Sequence, residues 1–428
     1  MRSDKDSDNL WANTARVECG ASALRDDITA DVLVVGGGFT GCCAALQLAK
    51  SGAGVCLLEA RSVGYGGSGR NVGLVNAGLW LEPDRIERIL GSAAGVRLNE
   101  TLALGPAQVF SLIEEHGIDC GATRTGTLHC AHSESGLADL RERLRQYRAR
   151  DWNVDLLDSN ETALKTGTSR YCGALWDHRA GTIQPMAYVR GLAIAAMDSG
   201  ARIFEMSPVT EIVCKNGQWV AATENGSVRA DAVVLATNAY HQGLRHDAQP
   251  DYTPVNFFQV ATTPIDDEIV GSILAEGQGA WDTMKVMSSF RVDAECRFVL
   301  GSVGSLDGFG RQVHCAWARR RLEEMYPAIS DSEFEFAWSG RFAMTSDHLP
   351  RIVKFGERAL SIYGYSGRGI GPGTVFGTSV AKYLLSGNGE DLPLEPVGAH
   401  RELLSKFKQI GYELGATGYH LTVSRGAR

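Results

Sequence analysis

The sequence predicts an α/β fold, α+β overall. Its base is a Rossmann-like sheet, discontinuous in the chain and interrupted by an inserted antiparallel-sheet domain. Three observations predict this. Ala30–Ala60 reads as strand, glycine turn, helix, strand and acid. Glu357–Gly387 repeats strand, glycine-rich loop and helix. Between them, "ADAVVLATNAY" at Ala230–Tyr240 is another apolar strand ending in a small-residue turn. Strands of one sheet therefore come from well-separated stretches of chain.

Each element follows from its residues. Asp31–Val35 is short, Val-rich and nearly all apolar, which suits a parallel strand buried on both faces. Gly36-Gly37-Gly38-Phe39-Thr40-Gly41 fits G-x-G-x-x-G. Cys42–Lys50 is Ala/Leu-rich and helical, Val55–Leu58 is a second apolar strand, and Glu59 ends it. In such a unit Gly36 makes the tight turn, Gly38 admits a pyrophosphate, and Gly41 lets the helix pack on the strand. The helix N-terminus, with Phe39 and Thr40, offers free N–H groups to phosphate. Glu59, followed by Ala60 and Arg61, is placed to accept ribose hydroxyl bonds. This unit alone leaves NAD and FAD both open.

Further strands and helices follow. A helix is expected over Met186–Asp198 and strands over Arg202–Glu205 and Ser207–Val213, with Val209 near the cofactor. "CKNGQWVAATENGSVRA" carries two Asn-Gly hairpin signals. The strand ending at Leu235 leads to Thr237, another expected cofactor contact. Leu360–Tyr363 reads as a strand, Ser366–Gly373 as a glycine turn, and Thr374–Leu385 as a helix. A second helix N-terminus aimed at a ligand suits a large two-headed cofactor such as FAD better than a nicotinamide alone.

Composition narrows the class. The 428 residues are 44% apolar and 21% charged, with a formal net charge of −8. No basic excess exists to neutralise phosphates, which argues against a nucleic-acid partner. Ten cysteines lack CxxC pairing, which points to a reducing compartment and to no metal. The polar start "MRSDKDSDNLW" is no signal peptide, and no apolar run reaches membrane-spanning length. A cytoplasmic enzyme without an integral membrane segment is expected.

The motifs "VVGGGFTG", "GGSGRNVG", "VVLATNAY" and "GYSGRGIGPGTVFG" occur in order between Asp31 and Gly387. Together they resemble the FAD-dependent amine and amino-acid oxidases related to D-amino-acid oxidase, sarcosine oxidase and glycine oxidase. Within these, "GGSGRNVGLVNAGLWLEPD" and "GQGAWDT" look most like bacterial L-pipecolate oxidases, with γ-glutamylputrescine oxidases next. The resemblance implies hydride transfer from the amine-bearing carbon to flavin, giving an imine. It implies that Ser68, Arg70 and Asn71 touch the cofactor and that Gly66, Gly67 and Gly69 let the backbone lie against it. It gives Gly367, Arg368, Gly369 and Ile370 to the flavin, with Arg368 adding charge. The nearest cysteine upstream of that loop is Cys315, so FAD is expected to be non-covalent.

The substrate side is less marked. Arg291 in "SSFRVD" and Arg341 in "WSGRFAMTSDHLP" are the catalytic-site candidates, as carboxylate anchors. Trp338, Phe258 and Tyr252 are candidates for an apolar wall, Lys285 for polarising oxygen, and His348 for a structural role. Residues 28–96, 181–240 and 335–390 are assigned to the FAD-binding domain. Residues 97–180 and 241–334 go to the substrate domain, and 391–428 to a tail without motif. Gly136–Trp152 reads as a charged helix whose arginine face is solvated. The expected partners are a small amine or amino acid and O2 or another electron acceptor. The best substrate is L-pipecolate. The alternatives are an acyclic amine such as γ-glutamylputrescine, or a catalytically inactive FAD-binding regulatory protein.

Overall fold

A computed structural model describes residues 8–242 and 249–422. The Met1–Ser7 start, positions 243–248 of the inserted domain and the last six residues of the tail lie outside the described residues.

The first sheet runs Arg351–Gly356, Ala359–Tyr363, Ser227–Leu235, Ile28–Val35, Val55–Leu58, Arg202–Phe204. From the second of these strands to the last, neighbours pair in parallel. Parallel strands need both faces covered, and the sequence supplies two apolar faces. Val32, Val34, Val55 and Leu57 join one core cluster, and Leu33, Val35, Cys56 and Leu58 join another. The first face carries the helices Phe39–Lys50, Pro185–Asp198 and Ile370–Ser386. The second is closed by the antiparallel pair Glu211–Lys215 and Gln218–Ala222, through Ile212 and Trp219. Asn216 and Gly217, at φ 54° and 80°, make its two-residue turn. A Cβ at Gly377 would collide with the carbonyl of Thr40, so this glycine lets the first and last helices cross closely.

Boundaries shift where capping chemistry decides. The first helix starts at Phe39, three residues before the expected Cys42. The last starts at Ile370, absorbing part of the expected glycine turn. Pro372 fits there because the first turn of a helix needs no N–H bond. The expected Ser207–Val213 strand begins only at Glu211. Pro208 brings no ladder donor, and Ser207 Oγ instead accepts a bond from the Leu24 amide at 2.9 Å.

The second sheet runs Phe334–Met344, Thr253–Thr262, Phe298–Val303, Ser288–Val292, Gly279–Asp282, Thr127–Ala131, Gly173–Asp177, Val154–Leu157. All its pairs are antiparallel except Gly279–Asp282 with Thr127–Ala131. Phe334–Met344 belongs here, not with the first sheet as the 335–390 assignment had it. It pairs with Thr253–Thr262 along its whole length.

Two segments are corrected. The tail forms the helix Ser405–Thr422, which packs on the Thr253–Thr262 strand of the second sheet beside Gly310–Met325. Its fixings are buried: His420 Nδ1 lies 2.8 Å from His314 Nδ1, and the His420 ring stacks on Trp317 at 4.2 Å. The charged helix spans Glu134–Arg148. Its arginine face is not wholly solvated, because Arg143, Gln146 and Tyr147 are buried. Arg143 donates to the Trp80 carbonyl at 2.9 Å and to Glu82 at 3.0 Å.

Candidate active site

A cleft of about 2190 Å³ runs between the two sheets. It begins at the carboxyl ends of Ile28–Val35 and Ser227–Leu235, where the strand order changes direction, the usual ligand position of an open α/β sheet. Gly36 has φ 110°, and a Cβ there would stand 2.8 Å from the Ala236 carbonyl oxygen. At Gly41 a Cβ would strike the Gly36 carbonyl. Only glycine serves at both points. The helix that follows has Gly38 as N-cap and no side-chain cap, and the helix from Ile370, with Gly369 as N-cap, has none either. Two helix N-termini thus open on one cleft with backbone donors and partial positive charge for an anion. Thr40 Oγ1 and the Tyr365 hydroxyl, 2.7 Å apart, tie them together.

Glu59 is half-buried on the cleft wall. It accepts from the Gly37 amide at 2.6 Å and the Arg61 amide at 2.9 Å. Desolvation raises its carboxyl above the ordinary value, against the pull of these amide bonds. Gly36, Gly38, Phe39, Thr40, Ala60, Arg61, Val209 and Thr237 share this end of the cleft with it. Gly41 lies behind it and acts through packing.

The Gly66–Asn71 loop is cross-braced. Ser68 Oγ accepts the Phe39 amide at 3.0 Å, and Gly67, Ser68 and Asn71 line the cleft. Asn71 Nδ2 donates to the carbonyls of Gly67 and Ser68, at 3.0 and 2.9 Å. Arg70 is different. It is absent from the cleft lining, its Nε donates to the Tyr65 carbonyl at 2.7 Å, and its Nη1 donates to the Ser339 carbonyl at 3.2 Å. It fastens the loop from behind instead of touching what the loop covers. Asn9 and Trp11 complete the bracing. Asn9 donates to the Gly69 carbonyl at 3.0 Å and Trp11 Nε1 to the Asn71 carbonyl at 2.7 Å. Their pattern had read only as a polar terminus; the Asn9 cap before "LW" was the available signal.

On the substrate side the structure redistributes the candidates. Arg291 is buried but does not line the cleft. Its Nη1 donates to the Ile183 carbonyl at 2.6 Å and its guanidinium lies 5.7 Å from the Trp11 ring. Burial brings its pKa down to about 10. It is committed to the backbone, so the anchor role expected for it falls away. Trp338, Phe258 and Tyr252 also lie off the cleft. Trp338 donates to the Arg70 carbonyl at 2.9 Å, and Phe258 packs between His314 and Trp317. Adjacent strand residues face opposite ways, so Phe257 and Gln259, the neighbours of Phe258, face the cleft instead, and Phe342 also lines it. Lys285 and His348 line it, and burial lowers the His348 pKa. Arg341 lines it as well, its guanidinium 4.7 Å from the Tyr240 ring.

Gly367, Arg368, Gly369 and Ile370 all line the cleft. Arg368, expected to add charge at the flavin, reaches across the cleft to the second sheet. It is 8% exposed, lies 5.0 Å from the Trp80 ring and 4.7 Å from the Trp281 ring, and donates to the Ala77 carbonyl at 2.9 Å. Trp281 in turn stacks on His129 at 3.3 Å. Burial holds Arg368 down to about 10, and burial, then Arg143 and Arg368, keeps the His129 imidazole neutral. Among the described residues, the buried side-chain atoms with no hydrogen-bond partner include His129 Nδ1, Gln259 Oε1, Arg341 Nε and Arg368 Nε, all on cleft residues. Unpaired polar atoms from four elements meeting in one cleft mark a site that a polar ligand completes.

The cleft fits FAD: a glycine cradle and a ribose acceptor at one end, a second uncapped helix at the other, a loop between. No cysteine lines it among the described residues. The profile of DAO, FAD dependent oxidoreductase, matches residues 31–383. The chain is 30% identical over 363 residues to the probable oxidoreductase OrdL of Haemophilus influenzae, covering 83% of each. It is 29% identical over 419 residues to the gamma-glutamylputrescine oxidoreductase of Escherichia coli, covering 94% of this chain and 96% of that one. The glycine oxidase structure from Geobacillus kaustophilus superposes with a TM-score of 0.68 at 23% identity, covering 84% of this chain and 95% of that one. That last likeness speaks to the fold.

Proposed function

Since the chain belongs to the DAO family of FAD-dependent oxidoreductases, acting on amine or amino-acid donors, we propose that its substrate is a compact amino acid with the carboxylate close to the reacting C–N bond. L-Pipecolate is the first candidate. The supporting observation is Arg368: a buried guanidinium between two indole rings, with no carboxylate among its hydrogen-bond partners. Such a charge is costly unless an anion joins it, and a planar fork suits a carboxylate.

Bound FAD supplies the hydride acceptor. The chain's own residues do the rest. Glu59 holds the ribose, and the helix termini at Phe39 and Ile370 offer N–H groups to the pyrophosphate and to the polarised edge of the ring. Arg368 would hold the carboxylate and so fix the orientation of the amine-bearing carbon in the cleft. Trp80, Trp281, Phe257 and Phe342 exclude water. His129, neutral beside Arg368, offers a hydrogen-bonding ring nitrogen to the substrate.

The likeness to gamma-glutamylputrescine oxidoreductase over nearly the whole chain favours a second reading, an extended amine whose carboxylate is remote. The test is anaerobic flavin reduction by L-pipecolate, piperidine and γ-glutamylputrescine. Bleaching by L-pipecolate at far lower concentration than by piperidine supports the proposal. Preference for γ-glutamylputrescine favours the second reading, and no bleaching by any amine defeats both.

A further inference from the structure

The C-terminal helix Ser405–Thr422 is covered on one face and carries its large apolar side chains on the other. Ala416 and His420 are buried against the second sheet and Glu413 turns the same way, accepting from the Ser305 amide at 2.9 Å and from Asn256 at 3.3 Å. On the other side Phe407, Ile410, Leu414 and Leu421 are 73%, 57%, 68% and 42% exposed. Their spacing of three, four and seven residues makes one continuous stripe. Leu403 and Leu404, 74% and 67% exposed, extend it before the first turn. Nearly half of the large exposed apolar side chains of the described residues lie in these 19 positions. Clustering of that kind marks an interaction surface.

The charges around the stripe point to its partner. Glu413 is the helix's one acid, and it is engaged inward. The cations are Arg401 and Lys406, both exposed, and Lys408, paired with Glu402 at 2.6 Å. Beyond the helix the sequence adds Arg425 and Arg428. A second copy of this helix laid parallel would bring these cations together. An apolar stripe with basic residues at its N-terminal end fits an anionic lipid surface, where the side chains enter the headgroup boundary and the cations meet phosphate or carboxylate.

We propose that the Ser405–Thr422 helix docks the enzyme on anionic membranes, lying in the plane of the interface. No helix of the described residues is long and apolar enough to cross a membrane, so the attachment is peripheral. Leu414 belongs to the stripe and also lines the cleft, so docking would set that part of the cleft rim beside the lipid surface.

The test is flotation of the full-length, FAD-loaded protein with vesicles of phosphatidylcholine alone or mixed with phosphatidylserine. Partition onto the mixed vesicles, weakened by salt and much lower on phosphatidylcholine alone, is expected. Replacing Phe407→Asp and Ile410→Asp together should reduce partition roughly 100-fold with flavin content unchanged. Lys406→Glu, at an exposed position where folding is not at stake, should abolish the preference for phosphatidylserine. The proposal is overturned if wild type stays lipid-free with both vesicles, if Lys406→Glu partitions like wild type, or if the stripe instead holds a dimer or an acidic protein in the absence of lipid.

Discussion

Replacing Arg368 by methionine separates a binding role from a packing role, because one predicts a loss of affinity and the other a loss of stability. The guanidinium is 8% exposed, and burial lowers its pKa from 12.5 to about 10. At about 1.4 kcal/mol per decade, keeping it charged costs the ligand-free fold roughly 3 kcal/mol. A base whose pKa is lowered on folding imposes this cost at every pH below the folded value, and the cost is relieved only above pH ~10. Methionine removes the cost and keeps much of the stem volume between Trp80 and Trp281. It also removes the Ala77 hydrogen bond and the ring contacts, together worth about 2–3 kcal/mol. Stability in urea should therefore change by no more than about 1 kcal/mol. Binding should change far more. Losing the buried partner of a carboxylate costs about 3–5 kcal/mol, roughly 100-fold or more in affinity. The assay pairs urea unfolding with anaerobic flavin reduction by L-pipecolate and by piperidine, in wild type and Arg368→Met. The reasoning is refuted if the variant loses several kcal/mol of stability while both substrates reduce flavin as before.

Four further outcomes follow from the geometry. Glu59→Ala removes the ribose acceptor and should cost about 1–3 kcal/mol of FAD affinity, read as flavin lost on dialysis. With no cysteine among the described residues lining the cleft, acid precipitation should leave the yellow colour in the supernatant; colour in the pellet would contradict this. His420, held down to about 3 by burial and by His314, stays neutral in the native state while the unfolded chain takes up a proton below about 6.5. Stability should thus fall by up to about 1.4 kcal/mol per pH unit on acidification from 6.5 towards 3, and His420→Phe should flatten that dependence in pH-resolved urea titrations. Asn9→Ala should loosen the Gly66–Asn71 loop by about 1 kcal/mol, seen as faster amide exchange there, without altering the distant Ser405–Thr422 helix.

Legibility followed the locality of the physics. The Ile28–Leu58 unit was readable because each requirement is met within 30 residues: apolar strand, glycine where Gly36 and Gly41 meet backbone, acid at the strand end. The helix from Ile370 was readable for the same reason. Arg291 was misread because sequence cannot tell which side of a strand faces a cleft. Phe258 illustrates this sharply, since its neighbours Phe257 and Gln259 do face the cleft. Arg368 was recognised as part of the glycine loop, but its place between Trp80 and Trp281 depends on residues far apart in the chain. The tail escaped notice because its apolar stripe is exposed, and no motif marks a surface helix held by two histidines.

The bracing of the Gly66–Asn71 loop also dictates when the nucleotide grip can come into being. The carbonyl of Arg70 is held by Trp338, 268 residues further along the chain, and the second helix terminus at Ile370 is made later still. At about 5–20 residues per second on the ribosome, the early glycine cradle waits on the order of 15–50 s for its brace. Cofactor loading is therefore an event of the finished chain, and fragments released before the Phe334–Met344 strand exists would carry the G-x-G-x-x-G turn without the means to retain a flavin.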